Sequence, residues 1–206
     1  MKKISILLLF CLVATSAFAV VDPAPNSIGI YFDLSGDNNW GLYPPDVPFF
    51  VYLVLTNPSA PSIGGYEVGY QNVVQPGMEG FVFRLTSNIA NGAVDGLDVG
   101  NSSDVFAGDY IVDLNTPLVA TPATVLHSWQ FILLSPGVIV KMYIGNCSQP
   151  SLPGPFPVIL NAETETQFTA VQSSGGPDIP VATINDPAHP TGDEDTLFGS
   201  VKALFR

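Results

Sequence analysis

Several runs of the chain alternate apolar and polar residues with a period of two, the pattern of a strand with one buried face. Over residues 65–73, Tyr66, Val68 and Tyr70 share a face while Glu67 and Gln71 point away. Over 81–86, Phe81, Phe83 and Leu85 oppose Arg84. Over 109–114, Tyr110, Val112 and Leu114 oppose Asp109 and Asp113. Over 138–144, Val138, Val140, Met142 and Ile144 oppose Lys141. Two denser apolar runs, 49–55 and much of 125–134, read as strands buried on both faces. Further strands are expected at 27–34, 158–161, 167–172 and 180–185, giving about ten in all.

Nineteen glycines and nineteen prolines are scattered between these runs, which argues against long helices. Many short strands with turns between them predict an all-β chain folded as a two-sheet antiparallel β-sandwich of jelly-roll type. An up-and-down barrel is the alternative. The hairpin in PFFVYLVLTNPSAPSIGGYEVGY illustrates the punctuation. Asn57-Pro58 ends one strand because proline lacks the N–H a ladder needs. Gly64-Gly65 is expected to turn the chain into the next strand at low steric cost.

The stretch PFFVYLVLTNPSAPSIGGYEVGYQNVV resembles the early strands of cohesin-type and related carbohydrate-binding-module sandwiches. VFAGDYIVDL and ATVLHSWQFILL are similar to the second half of that jelly roll, so the resemblance spans about two thirds of the chain. It implies a cohesin-like fold. After Tyr70 the chain reads Gln71-Asn72 where cohesins commonly carry Asp-Pro, so the resemblance implies a fold and not dockerin binding.

The N-terminus changes the picture of where the domain works. Lys2 and Lys3 precede a short apolar core from Ile4 to Val13, and Ala17-Phe18-Ala19 is a small-x-small cleavage site. That is the layout of a secretory signal peptide, and the apolar core is shorter than the roughly 20 residues a spanning helix needs. The expected organisation is a signal peptide over 1–19, a sandwich domain over 20–186, and a linker with a tail over 187–206. Cleavage removes Cys11 and leaves Cys147, so packing rather than an intrachain disulfide must hold the domain. Cys147 then serves as an idle buried thiol or as a link to a partner. Loss of the two leader lysines leaves four basic residues against eighteen acids, a net charge of −14. Such a surface repels nucleic acid and anionic lipid. The expected location is extracellular or periplasmic, with no membrane association after cleavage.

The tail reads DEDTLFGSVKALFR. Its acids precede Leu197, Val201 and Leu204, which share one helical face, and Lys202 and Arg206 sit near the C-terminus of that expected helix. Docking on the sandwich and a recognition role in sorting are the two readings. FGSVKALFR is similar to the C-termini of uncharacterised secreted bacterial proteins, a resemblance that brings no function with it.

Groups for catalysis are scarce. His189 lies in the linker, and His127 is in phase with Val125, Trp129 and Phe131 on a strand, the place of a satisfied core histidine. No G-x-S-x-G, H-E-x-x-H or phosphate loop is present. Glu163 and Glu165 would share a strand face, but glycoside hydrolysis needs two carboxyls set across a cleft. Calcium is the more specific chemistry, with no cofactor required for the fold. Asp33, Ser35 and Asp37 place oxygens at alternate positions as an EF-hand loop begins, though Pro44 stands where the final glutamate belongs. Asp95, Asp98 and Asp104 make a second oxygen-rich loop. Asx turns are the alternative use of both. Glycan binding is the other specific chemistry: Trp40 and Tyr43, beside Asn38 and Asn39 in SGDNNWGLYPP, form either a sugar platform or a plug on the core. The sequence therefore predicts a non-enzymatic module with a structural, adhesion or protein-interaction role, with a glycan-binding module and then a hydrolase as alternatives.

Overall fold

The computed structural model describes residues 23–89 and 96–188; the leader, Asp95 and the tail from His189 lie outside the described residues. Thirteen strands follow one another: β1 Ser27–Tyr31, β2 Trp40–Gly41, β3 Phe49–Thr56, β4 Ser62–Val74, β5 Val82–Ile89, β6 Gly96–Asp98, β7 Ala107–Val119, β8 Ala123–Leu133, β9 Val140–Gly145, β10 Val158–Asn161, β11 Thr166–Thr169, β12 Val171–Gln172 and β13 Ala182–Ile184. Every run expected to be extended contains one of them, and the expected run 167–172 is split by a break at Ala170.

The strands form two sheets, and the architecture is a sandwich rather than an up-and-down barrel. The smaller sheet has the order β12-β1-β3-β8-β5. The larger runs β11-β10-β4-β9-β13-β2, with β7 on the other side of β4 and β6 beside β7. Pairing is antiparallel except for β1 with β12 and β2 with β13, two short parallel contacts. Strand β4 is long enough to hold β10 and β9 in succession along one edge and β7 along the other.

The core lies between the sheets. Ile28, Ile30, Leu53 and Leu133 from the smaller sheet meet Tyr66, Val68, Met142 and Ile159 from the larger one, all buried. The alternation read for β4 holds, with Tyr66, Val68 and Tyr70 inward.

Four expectations are corrected. Gly64-Gly65 is not a turn; it lies inside β4 at a register shift, and a Cβ on Gly65 would press on the Val112 carbonyl. Strand β3 is not buried on both faces, because Phe50 faces outward and is 49% exposed. On β5 the expected phase is inverted: Val82 is buried and Arg84 half-buried, while Phe83 and Leu85 are exposed. A bulge between Arg84 and Thr86 accompanies this inversion. On β8, His127 points inward with Trp129 and Phe131, but a bulge opposite Leu53/Val54 puts Leu126 rather than Val125 in the core.

Candidate functional site

The inward phase of Arg84 creates a polar chain through the middle of the sandwich. Tyr66 and Tyr70 come from β4, Arg84 and Ser87 from β5, Tyr110 from β7, and His127 and Trp129 from β8. Tyr110 is its hub: the Trp129 indole donates to its hydroxyl at 2.7 Å and an Arg84 guanidinium N–H donates at 3.0 Å. With two donors already on its oxygen, the Tyr110 hydroxyl spends its own proton on Ser87 Oγ, 3.0 Å away. Ser87 Oγ is also 2.8 Å from His127 Nε2, and His127 Nδ1 is 2.9 Å from the Tyr66 hydroxyl. Tyr66 is buried, and leaving its proton unpaired would cost about 1–3 kcal/mol. It therefore donates to Nδ1, which fixes the tautomer as Nε2–H, and Nε2 donates to Ser87.

That order of donors decides what the arrangement can do. Ser87 beside His127 looks like a nucleophile beside a base. Yet Nε2 carries a proton and turns it toward Ser87, so no lone pair is available to activate the hydroxyl. Burial, followed by the Arg84 charge, lowers the His127 pKa to about 3, and the ring stays neutral at any ordinary pH. Burial also raises the Tyr66 hydroxyl well above its usual range. The constellation is a structural network that joins the two sheets. Arg84 completes it by donating to Tyr70 at 3.2 Å and to the Ser102 carbonyl, while Tyr70 donates to the Asp104 carbonyl. The 99–106 loop is thereby tied to the core. One sequence signal for this was Arg84 itself, a basic residue in an apolar strand.

The aromatic loop read as either a sugar platform or a plug on the core is stitched to the end of the sandwich. Tyr43 stacks on Phe49 with centroids 3.8 Å apart, and its main chain is held by Asn185. Burial, then Asp33, raises its hydroxyl pKa to about 12. Trp40 is half-buried in β2 and its indole donates to the Asp186 carbonyl at 2.9 Å. Asn39 is buried, and Asn38 is exposed with its side chain accepting from the Trp40 N–H.

In the first acidic loop, one Asp33 oxygen accepts from Ser35 Oγ, the Gly36 N–H and the Asp37 N–H. In the second, Asp98 accepts from Gly100, Ile111 and Ser102, and Asp104 from Phe106; Asp95 lies outside the described residues. Among the described residues, no three His, Cys, Asp or Glu side chains gather as a metal site. Asp33, Asp98 and Asp104 accept from nearby backbone N–H groups as Asx turns do, and one Asp37 oxygen is left buried without a hydrogen-bond partner. Millimolar Ca²⁺ is expected to leave the melting temperature unchanged. A rise of several degrees would show that Asp37 and Asp33 act as ligands.

Glu163 and Glu165 lie exposed in the turn between β10 and β11 rather than on a strand. Cys147 is buried, with its sulfur 3.9 Å from Glu67, and burial raises the thiol pKa. It stays protonated and unreactive near neutrality.

Two surfaces remain open. The outer face of the smaller sheet exposes apolar side chains: Phe83 stands opposite Ile132, Leu134 follows on the same face, and Phe50 stacks on Tyr52. Phe83, Leu85 and Leu134 are each between 45 and 49% exposed. The outer face of the larger sheet carries an open groove of about 540 Å³ over β4, β7 and β9. No helix among the described residues is long and apolar enough to cross a membrane.

These features define a cohesin-like β-sandwich whose polar interior is structural. The sixth cohesin of scaffoldin B from Acetivibrio cellulolyticus, solved in complex with a mutant Cel5 dockerin, superposes with a TM-score of 0.52 at 12% identity, covering 79% of this chain and 99% of that one. A type II cohesin domain from the cellulosome of the same organism gives a TM-score of 0.50 at 11% identity, over 79% of this chain and 96% of that one. The likeness is one of fold. No protein-family model matches the chain, and no curated protein matches it by sequence.

Proposed function

We propose that this chain is a non-catalytic protein-interaction module, exported by its first nineteen residues, that docks a partner on the outer face of the smaller sheet. The apolar surface there carries the reading. A chain with only 12% charged residues and a strong acidic excess keeps Phe50, Phe83, Leu85 and Leu134 in water on one face. Exposed apolar side chains gathered on one sheet face mark interaction sites, and aromatic side chains supply the anchoring energy when a partner removes them from water. The inverted phase of β5 supports the same reading: a strand whose apolar residues face outward gives up core burial, at about 25 cal/mol for each Å² left in water. The fold adds support, because the scaffoldin B cohesin was captured with a protein partner. The order of donors around His127 supports a non-catalytic role.

The test is a comparison of the native chain with a Phe50→Asp/Phe83→Asp double variant. Each is immobilised and exposed to the exported proteins of the producing cell, and the recovered partner is purified and titrated back. Both positions face water, so the variant is expected to keep its melting temperature within a few degrees. It is expected to bind the partner at least about a hundredfold more weakly, in line with the loss of two aromatic hot spots. Equal affinity of the two proteins for the partner would remove this face as the docking site.

A further inference from the structure

The groove on the opposite face of the molecule has a different chemistry. Its floor is set by the register of three strands: Gln71 on β4 lies between Ala107 on β7 and Tyr143 on β9, and in the next row Gly69 lies between Asp109 and Gly145. The two walls are loops that pass very close to the sheet. A Cβ on Gly108 would strike the Asn101 carbonyl, and one on Gly69 would strike the Asn146 carbonyl. Glycine at these two places is what lets the walls stand where they do.

Asp109 braces both walls. Its two carboxylate oxygens accept from the Asn101 N–H at 2.6 Å and the Ser148 N–H at 2.7 Å. Burial pushes this carboxyl up, but the hydrogen bonds from Ser148 and Asn101 outweigh it and hold the pKa below the usual carboxylate value. Glu67 adds a third tie to the second wall by accepting from the Ser151 N–H at 2.8 Å. Among the described residues, the only acid lining the groove is thus 4% exposed and spent on backbone donors. The other polar side chains among the lining residues are neutral: Gln71, Asn101, Ser148, the half-exposed Tyr143, and Asn146, whose amide donates to the Gly154 carbonyl at 2.7 Å.

We propose that this groove binds a neutral oligosaccharide. Side-chain amides both donate and accept, which suits a ligand whose hydroxyls do the same. The Tyr143 ring offers an apolar face beside them for the C–H side of a sugar ring. A volume of about 540 Å³ lies within the range of small-ligand sites. The acidic surface excludes polyanionic chains such as uronates by repulsion. The site differs from the Trp40–Tyr43 loop, whose rings are held at the end of the sandwich, and it lies on the opposite side from the apolar face of the smaller sheet.

The experiment screens the full chain against an array of neutral gluco-, xylo-, manno- and galacto-oligosaccharides with oligogalacturonate alongside, and measures the best binder by calorimetry. Binding of a neutral member is expected, weakened at least about tenfold by Tyr143→Ala and by Gln71→Ala and unchanged in the Phe50→Asp/Phe83→Asp variant. Gln71 is exposed, so its variant tests the site without threatening the fold. Three results would overturn the proposal: no binding at millimolar sugar, preference for oligogalacturonate, or full affinity in the two groove variants.

Discussion

Replacing Tyr110 with phenylalanine is expected to lower the free energy of unfolding by about 3 kcal/mol, a large loss for one oxygen atom. The ring would stay, with its neighbours His127, Tyr70 and Trp129 at centroid distances of 4.2, 5.3 and 5.9 Å. Only the hydroxyl goes, and three groups lose a partner at once. The Trp129 indole N–H has nothing else to reach, and a buried donor left unpaired costs about 1–3 kcal/mol. Arg84 keeps Tyr70 and Ser102, so its loss is smaller. Ser87 loses a donor but is exposed and can turn to water. Because these bonds polarise one another, the sum exceeds a single hydrogen bond. Urea unfolding reads the effect as a lower midpoint at unchanged slope. A change below about 0.5 kcal/mol would show that the hub hydroxyl contributes nothing net.

Acid is expected to act on the same network through His127. The folded protein holds this ring neutral with a pKa of about 3, whereas the unfolded chain takes up the proton near 6.5. The unfolded state therefore binds the extra proton. The contribution is complete above pH 6.5 and is lost as the pH falls from there toward 3, at about 1.4 kcal/mol per pH unit. Between pH 7 and pH 5 the loss should reach about 2 kcal/mol, in a range where most carboxylates are still ionised. A His127→Gln variant is expected to be less stable at pH 7 but to lack this slope. Unfolding free energies of both proteins at pH 7, 6 and 5 supply the comparison. Parallel pH profiles would mean that His127 takes up its proton in the folded protein as readily as in the unfolded chain.

The way β5 folds shows where the sequence is a sufficient guide and where it is not. On β4 the period of two places Tyr66, Val68 and Tyr70 correctly, because one face is apolar and the other carries Glu67 and Gln71. The same rule applied to β5 puts Phe83 and Leu85 inside, and it fails because the core opposite β5 is not purely apolar. Tyr70, Tyr110, His127 and Trp129 all bring polar tips to that region, and an inward Arg84 donates to two of them, Tyr70 and Tyr110. A strand read alone cannot show what its partner sheet offers. The density of Tyr, Trp and His on the facing strands was the available signal that this core needed a donor. The candidate sites divide in the same way. Asx turns are local, so Asp33 and Asp98 are legible as loop organisers from spacing within a few residues. The groove is not legible, because Asp109 meets Ser148 and Glu67 meets Ser151 only after the chain has folded. The glycines at 69 and 108 carry no signal of a site in sequence. In the folded molecule they are the places where loops cross the sheet.

The proposed role depends on an outward-facing apolar surface serving as a dock. Hydrogen–deuterium exchange of the purified complex measures this directly, amide by amide. The predicted result is slower exchange, on adding partner, along the free edge of β5 and in the 134–137 turn beside it, with the groove over β4 and β9 unaffected. Protection confined to that groove, or to the Trp40 loop, would contradict it.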